Sequence, residues 1–369
     1  MKILYICDSD EDYDLSIDHN VLSYQLGTGK PIGENIESIN DSALLNDFAL
    51  QFRDQYCDFI NSLNKDFLFN NLVIEKKISL FFLTDCSNKR TENFRTYSTI
   101  CHLMVILKKT GNNDLDKVIF KNCSNAFIES ALSIIKVKEH RISKRKNISS
   151  SAMFGRQLRF FFRVLYSSFL LKFSKNNLRH DDQKIDSLYF TRFPLHFDNG
   201  SEDSIYGKIK HPNSAYLVSI MTDGIHQSFY GKKFLTTIAK LNKINTPFIL
   251  LDSFLSLSDI FKSFIYYLRF KSLLHFRLVK KDLFFEGIKL NEYIFYELSY
   301  SFMRLARQLM YVRPILDIME ITRPKEFHYY LFEFSFGRLF SAFLSSNYPQ
   351  IKRIGYQHGP ISRRKLLFF

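Results

Sequence analysis

The sequence predicts an α/β protein built from Rossmann-like, mostly parallel sheets with flanking helices. Short apolar runs recur along the chain, and each is followed by polar residues and then by helical periodicity. Most of these runs end on a polar residue, as strands do where a ligand site lies beyond a sheet. With 369 residues, 46% of them hydrophobic, the chain is long enough for two or three domains.

Eight apolar runs are predicted strands. In chain order they are residues 2–7 before Asp8, 78–85 ending at Asp85, 117–122, 187–194 passing Arg192, 215–224, 247–252 ending at Asp252, 327–333, and 352–359. In open α/β sheets, ligands bind beyond the carboxyl ends of the strands. The polar residues there are therefore site candidates, and the competing interpretation is that they cap the following helices.

Between these strands the pattern predicts three parts. Residues 1–135 form an N-terminal α/β part, residues 136–184 a basic helical connector, and residues 185–369 a Rossmann-like part that carries the candidate site. Strand signals vanish in the connector, where polar and basic residues flank an aromatic helix. Residues 291–322 are predicted to form one long helix or two, kinked or divided at Pro314.

Charge and cysteine content narrow the function classes. The formal net charge is +14, although residues 1–60 hold twelve acidic and three basic residues, so the later chain is strongly basic. This suits nucleic acid, an anionic membrane surface or a phosphorylated substrate, and composition alone does not choose among them. Five cysteines without a CxxC pair argue against a disulfide framework or a zinc site and favour a reducing compartment.

The sequence also bears on location. The first residues lack the apolar stretch of a signal peptide, and no eighteen apolar residues follow one another without a charge. We therefore expect a cytoplasmic protein. Residues 159–173 and 261–279 mix Phe and Leu with Arg and Lys, which is typical either of core helices with snorkelling basic side chains or of peripheral contact with the inner membrane.

Several familiar motifs fail. The sequence GTGK at residues 27–30 lacks the GxxxxGK[ST] spacing of a phosphate loop, and no GxGxxG, HExxH or GxSxG occurs. The basic run at residues 140–146 lies in no recognisable nucleic-acid-binding module. No cofactor, metal site or nucleic-acid partner is expected from these patterns.

A first group of candidate site residues lies at the end of the predicted strand at 215–224. Asp223 and Gly224 come directly after a strongly apolar run, with His226 in the next predicted helical turn. Glycine permits a sharp turn, and a carboxylate at a sheet edge is a suitable general base for a hydroxyl group. A strand followed by Asp-Gly is also a common structural corner.

A second group of candidates follows the last two strands. Glu333 ends one strand and Arg338 lies early in the next helix, so the two either pair with each other or Glu333 meets hydroxyl groups of a ligand. Further candidates lie at the end of the final predicted strand and just beyond it: Gln357, His358, Gly359, Ser362 and Arg363. A glycine turn before a helix start capped by Ser and followed by Arg predicts an anion site, although a lone His is often a core residue.

Three stretches carry a resemblance to a known family. The runs "ISLFFLTDCSNKRTENFRT", "YLVSIMTDGIHQ" and "YLFEFSFGRLF…IKRIGYQHGPISRRKL" resemble bacterial surface-carbohydrate biosynthesis proteins. These are GT-B-type glycosyltransferases of O-antigen and capsule assembly, similar to Kdo and sialic acid transferases that use CMP-activated sugars. The resemblance spans residues 78 to 369 and is most specific between Glu333 and Lys365.

The resemblance implies two facing Rossmann-like domains and an inverting transfer without a metal. The donor would be a nucleotide sugar, CMP-activated in the similar enzymes, and the acceptor a lipid-linked sugar or glycan. Thr222-Asp223-Gly224 matches the family's D/E-D/E-G base motif with Thr222 in place of the first acid. His211-Pro212 precedes Asp223, whereas the family's His-Pro pair follows the base, so that role is not transferred.

The same resemblance implies that Asp223 is the base, and Glu333 and His358, which end their predicted strands, complete the predicted catalytic set. The resemblance also implies a C-terminal donor domain that is incomplete or missing in this chain. Two alternatives remain open. One is a non-catalytic remnant that binds a glycan or a partner protein, and the other is a nucleic-acid-binding protein.

Overall fold

The computed structural model describes residues 1–15, 20–65, 73–74, 78–87, 95–111, 115–143, 150–173, 185–198, 202–207, 209, 213–221, 232–278, 282–330 and 335–356. The elements of the first part of the chain are β1 (Ile3–Cys7), β2 (Tyr13–Asp14), β3 (Val21–Gln25), β4 (Pro31–Ile32), β5 (Ile36–Ser38), α1 (Ser42–Gln51), α2 (Arg53–Lys65), β6 (Val73–Ile74), β7 (Ile78–Ser79), α3 (Thr96–Thr110), β8 (Leu115–Lys121), α4 (Asn125–Ile134), β9 (Val137–Ser143) and α5 (Ser150–Phe173).

The elements of the second part are β10 (Ser187–Arg192), β11 (Phe197–Asp198), β12 (Glu202–Asp203), β13 (Ser214–Ser219), α6 (Lys232–Leu241), β14 (Phe248–Leu250), α7 (Leu257–Leu273), β15 (Phe284–Phe285), β16 (Ile288–Lys289), α8 (Asn291–Leu309), α9 (Val312–Thr322), β17 (Glu326–Tyr330), α10 (Ser335–Asn347) and β18 (Lys352–Tyr356). A 3-10 helix covers Leu251–Phe254, and a π-helical turn covers Leu274–Leu278.

Two five-stranded parallel sheets organise the chain. The first sheet has the order β5-β3-β1-β8-β9, and the second has the order β14-β13-β10-β17-β18. In both, the first strand in sequence lies at the centre, the next two extend to one side and the last two to the other. This is the doubly wound order, whose switch point lies between β1 and β8 in the first sheet and between β10 and β17 in the second. The predicted α/β class with parallel sheets and flanking helices is confirmed.

The central strands are apolar because both of their faces are covered. All five residues of β1 and all six of β13 are buried, and β1 pairs on both sides through Ile3 with Val21 and with Lys117. Such strands read as continuous hydrophobic runs. The predictions at residues 2–7, 117–122, 187–194, 215–224, 247–252, 327–333 and 352–359 each coincide with a strand, although several are shorter than predicted.

The predicted strand at residues 78–85 is wrong beyond its first two residues. Only Ile78–Ser79 is a strand, paired antiparallel with β6, and residues 80–87 form consecutive turns. Leu80, Phe81 and Leu83 are buried, so the apolar run reflects burial of a turn segment and not a parallel strand. Asp85 therefore lies in a turn and not at the end of a parallel strand.

The start of the predicted connector is also a strand. Val137–Ser143 pairs parallel with β8 and forms the edge of the first sheet. Its middle residues are exposed, and Lys117 to Glu139 and Lys138 to Asp116 form cross-strand ion pairs at 2.9 and 2.7 Å. The predicted aromatic helix within the connector corresponds to α5. How the chain divides into domains stays a prediction.

The predicted long helix at residues 291–322 is two helices, α8 and α9. The break falls at Met310 and Tyr311, and Pro314 lies in the first turn of α9. A proline is tolerated there because the first N–H groups of a helix have no partner within that helix.

One continuous set of buried hydrophobic side chains includes residues of both sheets and of α8. A smaller cluster lies on the other face of β1 and contains Ile3, Tyr5, Cys7, Leu15 and Val21. Across the residues that the structure describes, no helix is both long and apolar enough to cross a bilayer.

Candidate functional site

Most of the predicted site residues fall on parts of the chain that the structure does not describe. These are Asp223, Gly224, His226, Glu333, Gln357, His358, Gly359, Ser362 and Arg363. Their roles stay predictions. The strands that lead to them, β13, β17 and β18, belong to one parallel sheet, so their carboxyl ends lie along the same edge.

At this edge, the described residues form a polar cluster at the switch point of the second sheet. Arg192 ends β10 and Tyr330 ends β17, and Arg192 Nε donates a hydrogen bond to the Tyr330 hydroxyl at 2.8 Å. His196 follows the cis Phe193-Pro194 bond, and its ring centroid lies 4.4 Å from that of Tyr330. We call Arg192, His196 and Tyr330 the switch-point cluster.

The switch-point cluster has the chemistry of an anion site. Arg192 and His196 are half-buried, whereas Tyr330 is buried and holds both of them in place. A guanidinium group presents planar N–H donors that match phosphate and carboxylate oxygens. The cluster lies where ligands bind in doubly wound folds. None of the three was among the predicted site residues, although the position of Arg192 at the end of a predicted strand was a signal in the sequence.

A buried aspartate fixes the neighbouring strand ends. Asp252 follows β14 and accepts hydrogen bonds from the backbone N–H of Ile220 at 2.6 Å and from the Tyr311 hydroxyl at 2.8 Å. Burial raises the pKa of the Asp252 carboxyl to about 6, and these hydrogen bonds oppose the shift. Asp252 therefore holds the backbone at the end of β13, just before residues 222–224.

A row of polar side chains on α8 joins the two halves of the molecule. Tyr293, Glu297, Ser301, Arg304 and Gln308 recur at intervals of three or four residues, which places them on one helix face. We call this the polar face of α8. The same spacing was present in the sequence, but polar residues there suggest a solvated face, and here the row is buried against other elements.

The first half of the chain supplies partners for the polar face. Thr99 of α3 donates to the Tyr293 hydroxyl at 2.8 Å, and the Thr96 hydroxyl donates to the Glu297 carboxyl group. The backbone N–H of Cys86 donates to Ser301 Oγ at 3.0 Å. Residues near the start of α3 and in the 80–87 turns thus pack against α8.

Asp85 is the centre of this junction. Its side chain is fully buried, and it accepts hydrogen bonds from Arg304 Nη1 at 2.7 Å and from Ser335 Oγ at 3.1 Å. Gln308 Nε2 donates to Ser335 Oγ at 3.1 Å. Because Ser335 begins α10, directly beyond β17 and residues 331–334, Asp85 connects the first half of the chain to the carboxyl edge of the second sheet. The predicted location of Asp85 at a strand end is wrong, because Asp85 lies in a turn.

Arg338 is the one predicted site residue that the structure describes. Its Nη1 donates to Ser87 Oγ at 2.8 Å and to the Phe82 carbonyl oxygen, and its guanidinium lies 4.9 Å from the centroid of the Phe82 ring. Burial lowers the pKa of Arg338 to about 10, while Asp85 opposes the shift. Arg338 therefore stays charged at neutral pH and holds the 80–87 turns against α10, two residues beyond Phe336.

The carboxyl edge of the first sheet approaches the same helix. Asp8 follows β1 at the switch point and forms an ion pair with Arg95 at 3.2 Å, and Arg95 immediately precedes α3. The start of α3 in turn contacts the polar face of α8 through Thr96 and Thr99. The carboxyl edges of the two sheets are therefore both connected to one face of α8.

Two open depressions lie elsewhere. One of about 730 Å³ includes Met1, Asn20 and Asp116 in its lining, and one of about 520 Å³ includes Glu320, Lys325 and Gln350. Both sit at the amino ends of the strands, opposite to the edge where doubly wound sheets bind ligands. We therefore do not assign them to the site. Among the described parts of the chain, no three His, Cys, Asp or Glu side chains are grouped so as to hold a metal ion.

Comparisons with known protein families, with curated protein sequences and with solved structures give no match for this chain.

Proposed function

We propose that this protein is a glycosyltransferase of surface-polysaccharide biosynthesis, acting in O-antigen or capsule assembly. It transfers a sugar from a nucleotide-activated donor to a lipid-linked or glycan acceptor, with inversion and without a metal. A CMP-activated sugar is the first donor to test, because the sequence resembles transferases that use one.

The observation that carries the proposal is the arrangement of the two parallel sheets. Both have the doubly wound strand order, and residues next to both carboxyl edges hydrogen-bond to the same face of α8: Thr96 with Glu297, and Ser335 with Gln308. Two Rossmann-like units with facing carboxyl edges are what a GT-B organisation requires. The donor and acceptor would then bind in the space between the edges, beside α8.

The proposed mechanism assigns a role to each group. Asp223 would remove the proton from the acceptor hydroxyl, and Glu333 and His358 would complete the catalytic set. Arg192 and His196, with Gln357 and Arg363, would stabilise the negative charge that develops on the departing nucleotide phosphate. Asp252 supports this arrangement because it fixes the backbone that leads to Asp223.

A donor screen tests the binding step. The purified protein is mixed with CMP-, UDP-, GDP- and CDP-activated sugars, and its melting temperature is measured. A ligand that binds the folded state raises the melting temperature, so we expect one nucleotide class to stand out. If no nucleotide sugar shifts the transition and none is turned over, the proposal is wrong.

Nucleotide release with a lipid-linked acceptor tests the catalytic step. Asp223→Asn should abolish turnover with an unchanged melting temperature, because the substitution removes the base and keeps the side-chain shape. Arg192→Gln should lower kcat/KM by about tenfold or more, because a charged contact to the phosphate is lost. Arg141→Gln is the matched control, since Arg141 is exposed on edge strand β9, and it should keep full activity.

A second outcome would favour the non-catalytic alternative. A protein that binds an acceptor glycan or a partner protein, without releasing nucleotide from any donor, would be a binding module. Steeply salt-dependent binding to arbitrary DNA or RNA would instead indicate a nucleic-acid partner.

A further inference from the structure

Helices α5 and α7 expose large apolar side chains on the protein surface. On α5 these are Phe162, Tyr166 and Phe169. On α7 and the turn that follows it they are Leu257, Phe261, Ile265, Leu268 and Phe276, and all eight are between 43% and 64% exposed. Soluble proteins rarely expose contiguous apolar patches of this kind without a binding role.

The two exposed faces lie side by side. Phe161 of α5 packs edge-on against Phe264 of α7 with ring centroids 5.1 Å apart, and Phe154 stacks near Tyr267 at 6.3 Å. Both helices also pack against α8, where Arg307 donates to Gln157 of α5 at 2.8 Å. Because each helix turns its buried side toward α8 and its flank toward the other, their exposed sides form one continuous surface.

Basic residues surround these apolar side chains. The side chains of seven basic residues are exposed on these helices. They are Arg156, Arg159, Arg163 and Lys172 of α5 and Lys262, Arg269 and Lys271 of α7. Helix α5 contains no acidic residue at all. The single acidic residue of α7, Asp259, is buried and accepts a hydrogen bond from Arg313 at 3.0 Å. We call the eight apolar and seven basic residues the α5–α7 surface.

We propose that the α5–α7 surface docks on an anionic lipid bilayer, with its aromatic and aliphatic side chains in the headgroup region. Basic side chains next to Phe, Tyr and Leu on helices that lie parallel to the surface are suited to the membrane interface. Anionic headgroups attract the Arg and Lys side chains, and this attraction weakens with salt.

The composition of the surface favours a bilayer over nucleic acid. Leu257, Ile265 and Leu268 cannot stack on bases, which is how aromatic side chains between basic ones contribute to binding single strands. In a bilayer, by contrast, aliphatic side chains are buried favourably next to acyl chains.

The absence of Trp from the chain allows a direct test. Phe162→Trp places a single tryptophan on the α5–α7 surface, and Ile32→Trp places one at a similarly exposed position on strand β4; excitation at about 295 nm selects the tryptophan over the tyrosines. With vesicles of phosphatidylcholine and phosphatidylglycerol, the emission of the Phe162→Trp protein should shift to shorter wavelength and be quenched by brominated lipid. The Ile32→Trp protein should show neither change, and phosphatidylcholine vesicles alone should give a much weaker response.

Flotation with the same vesicles separates insertion from nonspecific attraction, since the chain carries a net charge of +14. The double variant Phe162→Ser/Phe261→Ser keeps every charge and should lower binding about tenfold or more. The matched control Ile321→Ser removes an apolar side chain of similar exposure on α9 and should bind like wild type.

Four results would overturn the proposal. The first is no binding of wild type to anionic vesicles, and the second is equal binding by the double variant. The third is self-association of wild type in light scattering that the double variant abolishes, without vesicle binding, because it would show that a second copy covers the surface. Preferential binding to nucleic acid over vesicles would likewise replace the bilayer as the partner. None of these outcomes depends on whether the protein transfers a sugar.

Discussion

At the residue scale, Glu297 is the buried acid with the clearest physical consequence. It is 3% exposed on the polar face of α8, and burial raises the pKa of its carboxyl to about 8, while the Thr96 hydroxyl opposes the shift. The carboxyl group is therefore largely protonated in the folded protein at neutral pH. In the unfolded chain the same group would ionise near pH 4.5.

This difference predicts a pH dependence of stability. The folded state keeps the proton that the unfolded state loses, so Glu297 lowers the free energy of unfolding progressively as pH rises from about 4.5 to about 8. Glu297→Gln cannot ionise, so its stability relative to wild type should increase over this window, by up to about 4 kcal/mol. Urea denaturation of both proteins at about pH 5 and about pH 8 measures the difference.

The matched control is Glu139→Gln, because Glu139 is exposed on β9. Its stability relative to wild type should change little between the two pH values. A pH-independent difference between Glu297→Gln and wild type would mean that Glu297 is already ionised in the folded protein.

Residue-level prediction succeeded where a polar residue follows a buried strand. Arg192 and Asp252 were noted at strand ends, and the structure places both at the carboxyl edge of the second sheet. The same rule failed for Asp85, because an apolar run of eight residues is equally compatible with a buried turn. The partners of Asp85, Arg304 and Ser335, lie more than 200 residues away, and local patterns carry no information on such contacts.

At the element scale, the buried central strands β1 and β13 could be predicted, whereas the exposed edge strands of the first sheet, β5 and β9, could not. Strands β1 and β13 are buried throughout and mostly apolar because helices and loops cover them on both faces. Strands β5 and β9 are largely exposed, and β9 contains Lys, Glu, His and Arg in succession. Charges on an edge strand prevent pairing with other chains, but they also remove the apolar signal.

Two glycines, one in a loop of the first sheet and one in helix α5, predict opposite effects of substitution by alanine. A Cβ at Gly29 would lie 2.1 Å from the backbone oxygen of Glu11, so Gly29→Ala requires the 8–12 and 26–30 segments to separate. Gly155 lies in α5 with open space around it, and alanine there should stabilise the helix by about 0.5–1 kcal/mol. Thermal unfolding should show a lower melting temperature for Gly29→Ala and a higher one for Gly155→Ala.

The contrast between these two variants is its own control, since both add one methyl group. A loss of stability in Gly155→Ala would show that α5 is not helical at that position. An unchanged melting temperature of Gly29→Ala would show that the two loops do not pack closely. The close packing is otherwise indicated by the hydrogen bond from the Gly29 N–H to the Ser9 carbonyl oxygen at 2.9 Å.

At the scale of the whole molecule, two sheets of the same strand order share one core. The α/β class and the two parallel sheets could be predicted from periodicity, because each strand and helix carries its own local pattern. The connection of both carboxyl edges to α8 could not be predicted from the sequence. It depends on side-chain pairs such as Thr96 with Glu297, which are 201 residues apart.

The shared core predicts that the two sheets unfold together. Leu298 of α8 is fully buried, and α8 packs against α4 of the first half and against α7 and α10 of the second. Leu298→Ala should lower the free energy of unfolding by about 2–5 kcal/mol, because it creates a cavity in that core. Hydrogen exchange measured by mass spectrometry should then become faster by the same factor in peptides from β1 and from β13.

The control is Leu50→Ala, at a half-exposed site on α1, which should leave both exchange rates unchanged. Faster exchange confined to β13 would show instead that the first sheet is stable on its own, and that α8 joins two independently folding units rather than completing one core.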